Sequence, residues 1–528
     1  MIKEYLERQF ANYHAKLLAS FGLTLTYDTM PNDSVLLAMP NNTIFSTRGY
    51  YDNRDGAGGT YKISDTSYSH SRKITNGTTT KYLIALDEDG GANNFVNLTR
   101  YGIRDYAGTR ESFTEESSFA NSNSDIIENI ISGDYFSTWY LPTGRYYFKR
   151  GISLSSNGIC LKGECQPDTN VAQFSDAGAK VKGGTCLVFP FLNNGDSAIT
   201  SGNGNVEDIA IIGDPNYYSI EFNRNAITTD PTSIITETIK QVSGADVKCV
   251  GLNKTNAGWV KNVVICNFYT GMNGGVTSLY GSNIFTSDCH DGAKLNADAK
   301  IRGIYGWRVR NLVTFDGLSA QSSVEQLRAD SCEHVVYMVG TASDISLNGV
   351  DGDFCTGSLI EIGDGTTYTK VDRCKFIDIK GRYDVLKAYI SGTDAKPSAR
   401  NLNTSNSEGW GAIHVNRMSV FRNNYVIVSS TDRSVLDSGG DSRYKMPEII
   451  FTFNNDSANS INNTFVVLND YIEDDEVSIR NLFQVGNNIE FRIDTALGTY
   501  YVKGQAFRII NYDSIKDFDD RIKALENA

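Results

Sequence analysis

No run of eighteen apolar residues occurs anywhere in the 528-residue chain, so no stretch reads as a membrane-spanning helix. A basic surplus is missing too. Against 49 Lys and Arg stand 62 Asp and Glu, a net charge of −13 that argues against general binding to nucleic acid or anionic membrane. The cysteines total nine, an odd number, and none form a Cys-x-x-Cys set; disulfides and a structural zinc are therefore not expected. The first ten residues, MIKEYLERQF, carry charges throughout and lack the apolar core of a secretory signal, so synthesis in a reducing cytoplasm is expected.

Proline is scarce at 9, whereas 48 Gly, 29 Tyr and 25 Phe favour β-structure with many tight turns. A beat runs through it. Cys266, Cys289, Cys332, Cys355 and Cys374 are separated by 23, 43, 23 and 19 residues, and Asp288, Asp330, Asp351 and Asp372 by 42, 21 and 21. A period in the twenties predicts a solenoid, each repeat one coil stacked on the last, with the thiols as small apolar groups in its interior.

Along the chain, Ile2, Tyr5, Leu6, Phe10, Tyr13, Leu17 and Leu18 predict a helix over 1–20, closed near Gly22. Residues 23–100 alternate short apolar runs (LTLTYDTM, SVLLAM, TYKIS, KYLIAL) with turns, as a β-rich head segment does. The polar stretch 105–125 reads as loop and DIIENIIS, 125–132, as helix. From Trp139 onward short alternating runs recur coil by coil, interrupted by excursions at 215–247 and 390–412. After about 415 the beat fades into longer strands resembling an antiparallel module over 416–512. Ile515, Phe518, Ile522 and Leu525 then give a short helix over 513–528, which either closes an assembly already formed or lies on its own domain.

Two segments are more specific than the period. GYYDNRDGAGGTYKI (49–63) with DEDGGANNF (87–95) resembles the opening of many phage tailspikes. YGIRDYAG (101–108), the helix at 125–132 and YLPTGRYYFKRGISLSSNGICLKGE (140–164) follow in the order of pectate-lyase-like right-handed parallel β-helices. Where that family usually carries Gly-Asp-Gly-x-x-Asp-Asp, this chain has AGTRESFTEESSF. The resemblance, over roughly residues 45–380, implies an all-β chain whose parallel β-helix occupies 101–415. It also implies a homotrimer joined to a phage tail or baseplate protein, carried in the virion, acting on bacterial surface polysaccharide. The helix at 1–22 would serve virion attachment or trimer contact. No cofactor or metal is expected.

Fold does not fix chemistry, so the site is read from residues. Strand positions i and i+2 share a face at about 6.7 Å, within the range of carboxyl pairs that cleave glycosidic bonds. Asp351 with Asp353 and Asp288 with His290 have that spacing, and Asp291, Asp330 and Glu333 fall on neighbouring coils. Asp288/Asp291 and Asp351/Asp353 rank first because they cluster, although Asp at a solenoid corner commonly caps backbone amides. Lys294, Lys300, Arg302, Arg308 and Arg310 stand against the single Asp298, a local reversal of the chain's charge that suits a glycan bearing carboxylates. Trp259 and Trp307 are candidate stacking platforms for sugar rings, and His334, inside HVVYMV, reads as a packed histidine. Acids outnumber well-placed bases, which favours hydrolysis over β-elimination. A β-helix that only holds glycan is the alternative.

Overall fold

The computed structural model describes residues 24–52, 57–68, 71–86, 95–106, 118–130, 137–154, 158–164, 184–222, 235–238, 241–242, 245–275, 278–353, 358–382, 413–415, 419–428, 451–453, 459–461, 463–467, 488–495 and 498–505. The helices expected at 1–20 and 513–528 and the excursion at 390–412 lie outside them. Backbone contacts divide the chain into two units: Met1–Asp214 with Gly251–Val264, and Pro215–Val250 with Ile265–Ala528.

The first unit opens with a five-stranded sheet in which Leu25–Tyr27 runs parallel to Ile44–Thr47 and the remaining neighbours are antiparallel. The run SVLLAM, expected among the strands, lies instead in the helix Asp33–Ala38. The Asn32 side chain accepts from the Val35 amide at 3.0 Å, and Val35, Leu36 and Met39 turn one face inward. Coils follow, three short strands to a turn. Thr138–Leu141, Gly144–Tyr147 and Ile152–Ser153 each lie in parallel register on a strand of the next coil: Cys160–Gly163, Thr185–Val188 and Ser197–Ser201.

A helix spans Ser118–Glu128, beginning inside the stretch expected to be loop. Its polar residues misled because they bond inward. Asn123 is buried and bridges the backbone of Arg104 and Tyr147, and Ser124 accepts from the amides of Lys149 and Arg150.

Lys254 is fully buried in this unit, its ammonium facing the carbonyls of Gly202, Gly204 and Ala257 and the Ser201 hydroxyl. Burial without a counter-charge pulls its pKa from 10.5 down to about 8. Between those values the unfolded chain binds a proton that the folded chain does not, so stability rises with pH across that window. Urea midpoints of the wild type are expected to gain on those of Lys254→Met between pH 8 and 10.5, by at most about 3 kcal/mol. A flat difference would remove the argument.

In the second unit the coils are in close register. Ile284, Ile304, Leu327, Val350 and Ile379 form one buried column across five coils. Strands Leu279–Leu295, Lys300–Ala320 and Ser323–Ser343 run through corners without losing parallel pairing, because single residues there adopt the left-handed conformation. Asn267, Asp288, Arg308 and Ser331 stack at one corner, and Asp298, Gln321, Asp344, Arg373 and Asn423 at another. The chain is a parallel β-helix.

The beat is real, but neither ladder is one column. Cys289 and Cys332 share a column with Val309 between them, whereas Cys374 follows the corner at Arg373. Asp288 is a corner residue, Asp330 precedes Ser331 at that corner, and Asp351 pairs in register with Arg328 on a different strip. The excursion at 215–247 contains the antiparallel hairpin Ser219–Phe222 with Ile235–Thr238. Past 415 the pairing stays parallel, with Tyr425–Val428 on Thr464–Val467 and that strand on Asn488–Thr495. Among the described residues there, only Asn488–Thr495 with Gly498–Gln505 is antiparallel. Alternation has period 2 whichever way the neighbour runs, so the sequence pattern could not separate the two arrangements.

Candidate functional site

The coils of the second unit bring a set of ionisable side chains onto one outer strip. Asp291, Asn311 and His334 occupy equivalent positions on three successive coils, and Lys294, Thr314, Tyr337 and Glu361 do so on four. His290, Arg310 and Glu333 immediately precede the first set. Gly292 makes the local geometry possible. A Cβ there would lie 2.6 Å from Thr286 Oγ1 and 2.7 Å from the Leu312 carbonyl, so the neighbouring coil leaves no room for a side chain beside Asp291.

Asp291 is nearly inaccessible yet fully engaged. Thr314 Oγ1 donates to its Oδ1 at 2.6 Å and Asn311 Nδ2 at 3.2 Å, while His290 Nδ1 and Lys294 Nζ lie 3.1 and 3.4 Å from Oδ2. Burial pushes the carboxyl up, but His290, Lys294 and Thr314 outweigh it and hold it at about 2. The His290 ring stacks on Tyr269 at 4.5 Å, and its Nδ1 is near Oδ2 without a well-aimed hydrogen bond.

Glu333 is more open than Asp291, its side chain 27% exposed against 3%. Arg310 Nε donates to its Oε2 at 2.6 Å, and His334 Nε2 lies 3.6 Å from Oε1. Against the upward push of burial these cations hold Glu333 at about 2. His334 is buried, which lowers its pKa, but Glu333, Glu361 and the Ser358 carbonyl 2.8 Å from Nδ1 raise it to about 9. The imidazolium therefore persists at neutral pH.

Asp288 has a different job. It is wholly buried at a left-handed corner and accepts from Arg308 at 2.6 Å, Ser287 at 2.8 Å and the Ile220 amide at 3.4 Å. Burial raises its pKa, against those donors. Through Ile220 it ties the hairpin to the corner, and Tyr218, just ahead of the hairpin, meets His290 edge-on at 6.0 Å and Tyr269 at 5.7 Å. In this conformation no glycan reaches the Asp288 carboxylate.

The expected residues thus separate. His290, Asp291, Lys294, Arg310 and Glu333 come together. Arg308 is committed to Asp288 and lies over the Trp307 ring at 4.4 Å. Asp330 accepts from Ser331, and Asp351 faces Arg328 at 4.0 Å on a neighbouring strip. Asp353 ends the strand Ser346–Asp353 in register with Asp330. Arg302 lies on yet another strip beside Lys300, and Trp259, 53% exposed, belongs to the first unit. Sequence reasoning missed His334, Tyr269, Asn311, Thr314, Tyr337 and Glu361. Among the described residues no group of three or more His, Cys, Asp or Glu could hold a metal ion.

The fold and this strip define the class: a parallel β-helix carrying paired carboxylates and imidazoles on an outer sheet face. No family model matches the sequence, and no curated protein matches it. Solved structures of similar fold include the enzymatically active domain of tailspike protein 2 from bacteriophage CBA120, at 10% identity and a TM-score of 0.46, covering 81% of this chain and 55% of that one. Tailspike gp49 of the Acinetobacter baumannii bacteriophage Fri1, a capsular polysaccharide depolymerase, gives 10% identity and 0.36, covering 88% and 75%. DFA-IIIase from Arthrobacter chlorophenolicus A6 gives 12% and 0.44, covering 75% and 94%. The chain spans about half the length of the first of these, and 49% of the full-length tailspike protein 2.

Proposed function

We propose that this chain is a phage tail protein of the tailspike kind, homotrimeric and carried in the virion, that holds bacterial surface polysaccharide along its coils and cleaves it at the His290–Glu333 strip. The observation that supports this reading is the gathering of His290, Asp291, Lys294, Arg310 and Glu333 in contact on one outer strip of three successive coils. His290 and Glu333 stand two coils apart, about 9.6 Å at the strand spacing, with Arg310 on the coil between them.

Two-carboxylate hydrolysis requires one neutral carboxyl as the acid, and neither Asp291 nor Glu333 is neutral near pH 7. Proton transfer therefore falls to imidazole. Asp291 orients His290, and Glu333 supplies the accessible ionised oxygen that activates water or accepts a proton. On a uronate-bearing glycan, Arg310 and Lys294 would neutralise the sugar carboxylate instead, and His290 would take the adjacent proton.

Incubation of the protein with host capsule or exopolysaccharide is expected to release new reducing ends. Reducing ends without absorbance near about 235 nm mean hydrolysis, and both together mean β-elimination. Neither signal from a polysaccharide that the protein retains overturns the catalytic reading and leaves a glycan-binding protein. The trimer and the tail partner are tested separately, by solution mass and by capture of tail proteins.

A further inference from the structure

The five cations that reverse the local charge do not act together. Lys294 is paired with Asp291 and Asp316, Arg308 with Asp288, and Arg310 with Glu333. Lys300 and Arg302 make no such pair among the described residues, and neither does Lys375. All three lie on a strip separate from the ionisable site, between the corner at Asp298 and that at Gly303.

Register places them with care. Tyr280, Lys300, Ser323, Ser346, Lys375 and Tyr425 occupy one column over six successive coils. The neighbouring column, Gly281, Ile301, Val324, Leu347, Phe376 and Val426, is inward, and its Ile301, Val324, Leu347, Phe376 and Val426 are buried. The Tyr-Lys-Ser-Ser-Lys-Tyr column therefore faces out. Lys300 and Lys375 stand three coils apart, about 14 Å, and the whole column spans about 24 Å. Arg302 points out two residues beyond Lys300, with Glu325 and Asn348 on the next two coils of its own column. Among the described residues of these six coils Glu325 is the one acid between the two corners, and it lies beyond ion-pair distance of Arg302; Asp298, Asp344 and Asp378 border the strip at its corners, and Asp344 is committed to Arg373.

We propose that this column is a second, non-cleaving glycan site that takes a linear polysaccharide bearing carboxylates at intervals. Exposed cations without a carboxylate partner, held at a fixed spacing in a chain of net charge −13, make a local patch that attracts an anionic ligand. Seryl hydroxyls between them suit sugar hydroxyls. Tyrosine at each end offers a ring face to a pyranose, and Lys300 Nζ already lies 5.9 Å from the Tyr280 centroid. The flat, rigid coil face costs little ordering entropy on binding. The ligand's being a glycan rests on the functional reading above; its negative charge rests on the column alone.

The test uses full-length protein with polygalacturonate and with the same polymer after carboxyl reduction, and compares the wild type with Lys300→Gln/Arg302→Gln/Lys375→Gln. These are surface positions, so a normal melting temperature is expected of the variant. The wild type should retain polygalacturonate in a salt-sensitive manner and the reduced polymer at least about tenfold more weakly. The triple variant should lose about tenfold in affinity for polygalacturonate while keeping its rate on short oligosaccharides from the host polysaccharide. Equal retention of the two polymers, no retention of polygalacturonate, or unchanged affinity in the variant overturns the proposal. Loss of cleavage in Glu333 variants with the column intact bears on the functional reading alone, so the two fail separately.

Discussion

Glu333→Gln is expected to lower the rate of glycan cleavage about a thousandfold, the usual worth of a positioned acid or base. The substitution keeps the side chain's shape but removes the ionised carboxylate that faces Arg310 and His334. It also removes the partner of Arg310 and His334, so His334 should fall from about 9 toward the ordinary histidine range, supported only by Glu361 and the Ser358 carbonyl. NMR titration of His334 reads that fall independently of substrate. In the wild type, the His334 contribution to stability is fully present below pH 6.5 and is lost as pH rises toward about 9. The Glu333 contribution is present above 4.5 and is lost as pH falls toward about 2. The pair thus favours the folded chain most between roughly pH 4.5 and 6.5, and Glu333→Gln should flatten both flanks. A variant that retains full activity with its His334 titration shifted would place the chemistry elsewhere.

Much of this was legible in the sequence, and the part that was not has a physical cause. The period gave the solenoid, because equivalent residues recur whenever a coil closes. Cysteine and aspartate were weaker guides to columns, since a coil varies by a few residues in length and a match of about twenty does not fix a position within it. Asp351 keeps the beat yet sits on another strip for that reason, and Arg302, grouped with the other cations by nearness in sequence, is separated from Arg308 and Arg310 by the corner at Gly303. The informative offsets were those from Asp291 itself: Asn311 follows it by 20 residues and His334 by 43, and Lys294 leads to Thr314, Tyr337 and Glu361 in the same way. Read from an acid rather than between acids, the beat leads to the site. His334 looked like a packed histidine because it is one; it is buried in its apolar run, and its charge comes from Glu333 and Glu361 on its own and the next coil. The polar helix Ser118–Glu128 was hidden for the same reason as Asn123 itself, whose polarity is spent on buried backbone.

Asp288→Ala should destabilise the second unit by about 3–5 kcal/mol. Three costs add. Arg308, whose side chain is 18% exposed, loses its acid at 2.6 Å and stays largely buried as an unpaired cation. The Ile220 amide loses its acceptor in the interior. Alanine must also hold a φ of 51°, where asparagine and aspartate are at ease, at a cost of about 1–2 kcal/mol. Asp288→Asn keeps the corner and an acceptor and should cost clearly less. Arg308→Ala added to Asp288→Ala should recover part of the loss, because the stranded cation goes with it. Urea unfolding measures all three variants. Hydrogen exchange at Ile220 then separates a global from a local effect: if Asp288 is the tie of the hairpin, that amide exchanges faster in Asp288→Asn than the loss of global stability explains. Cleavage should weaken in step with the hairpin, because Tyr218 is what the hairpin root sets against His290. An Asp288→Asn protein with normal Ile220 protection and no activity would instead make the buried carboxyl itself part of the chemistry.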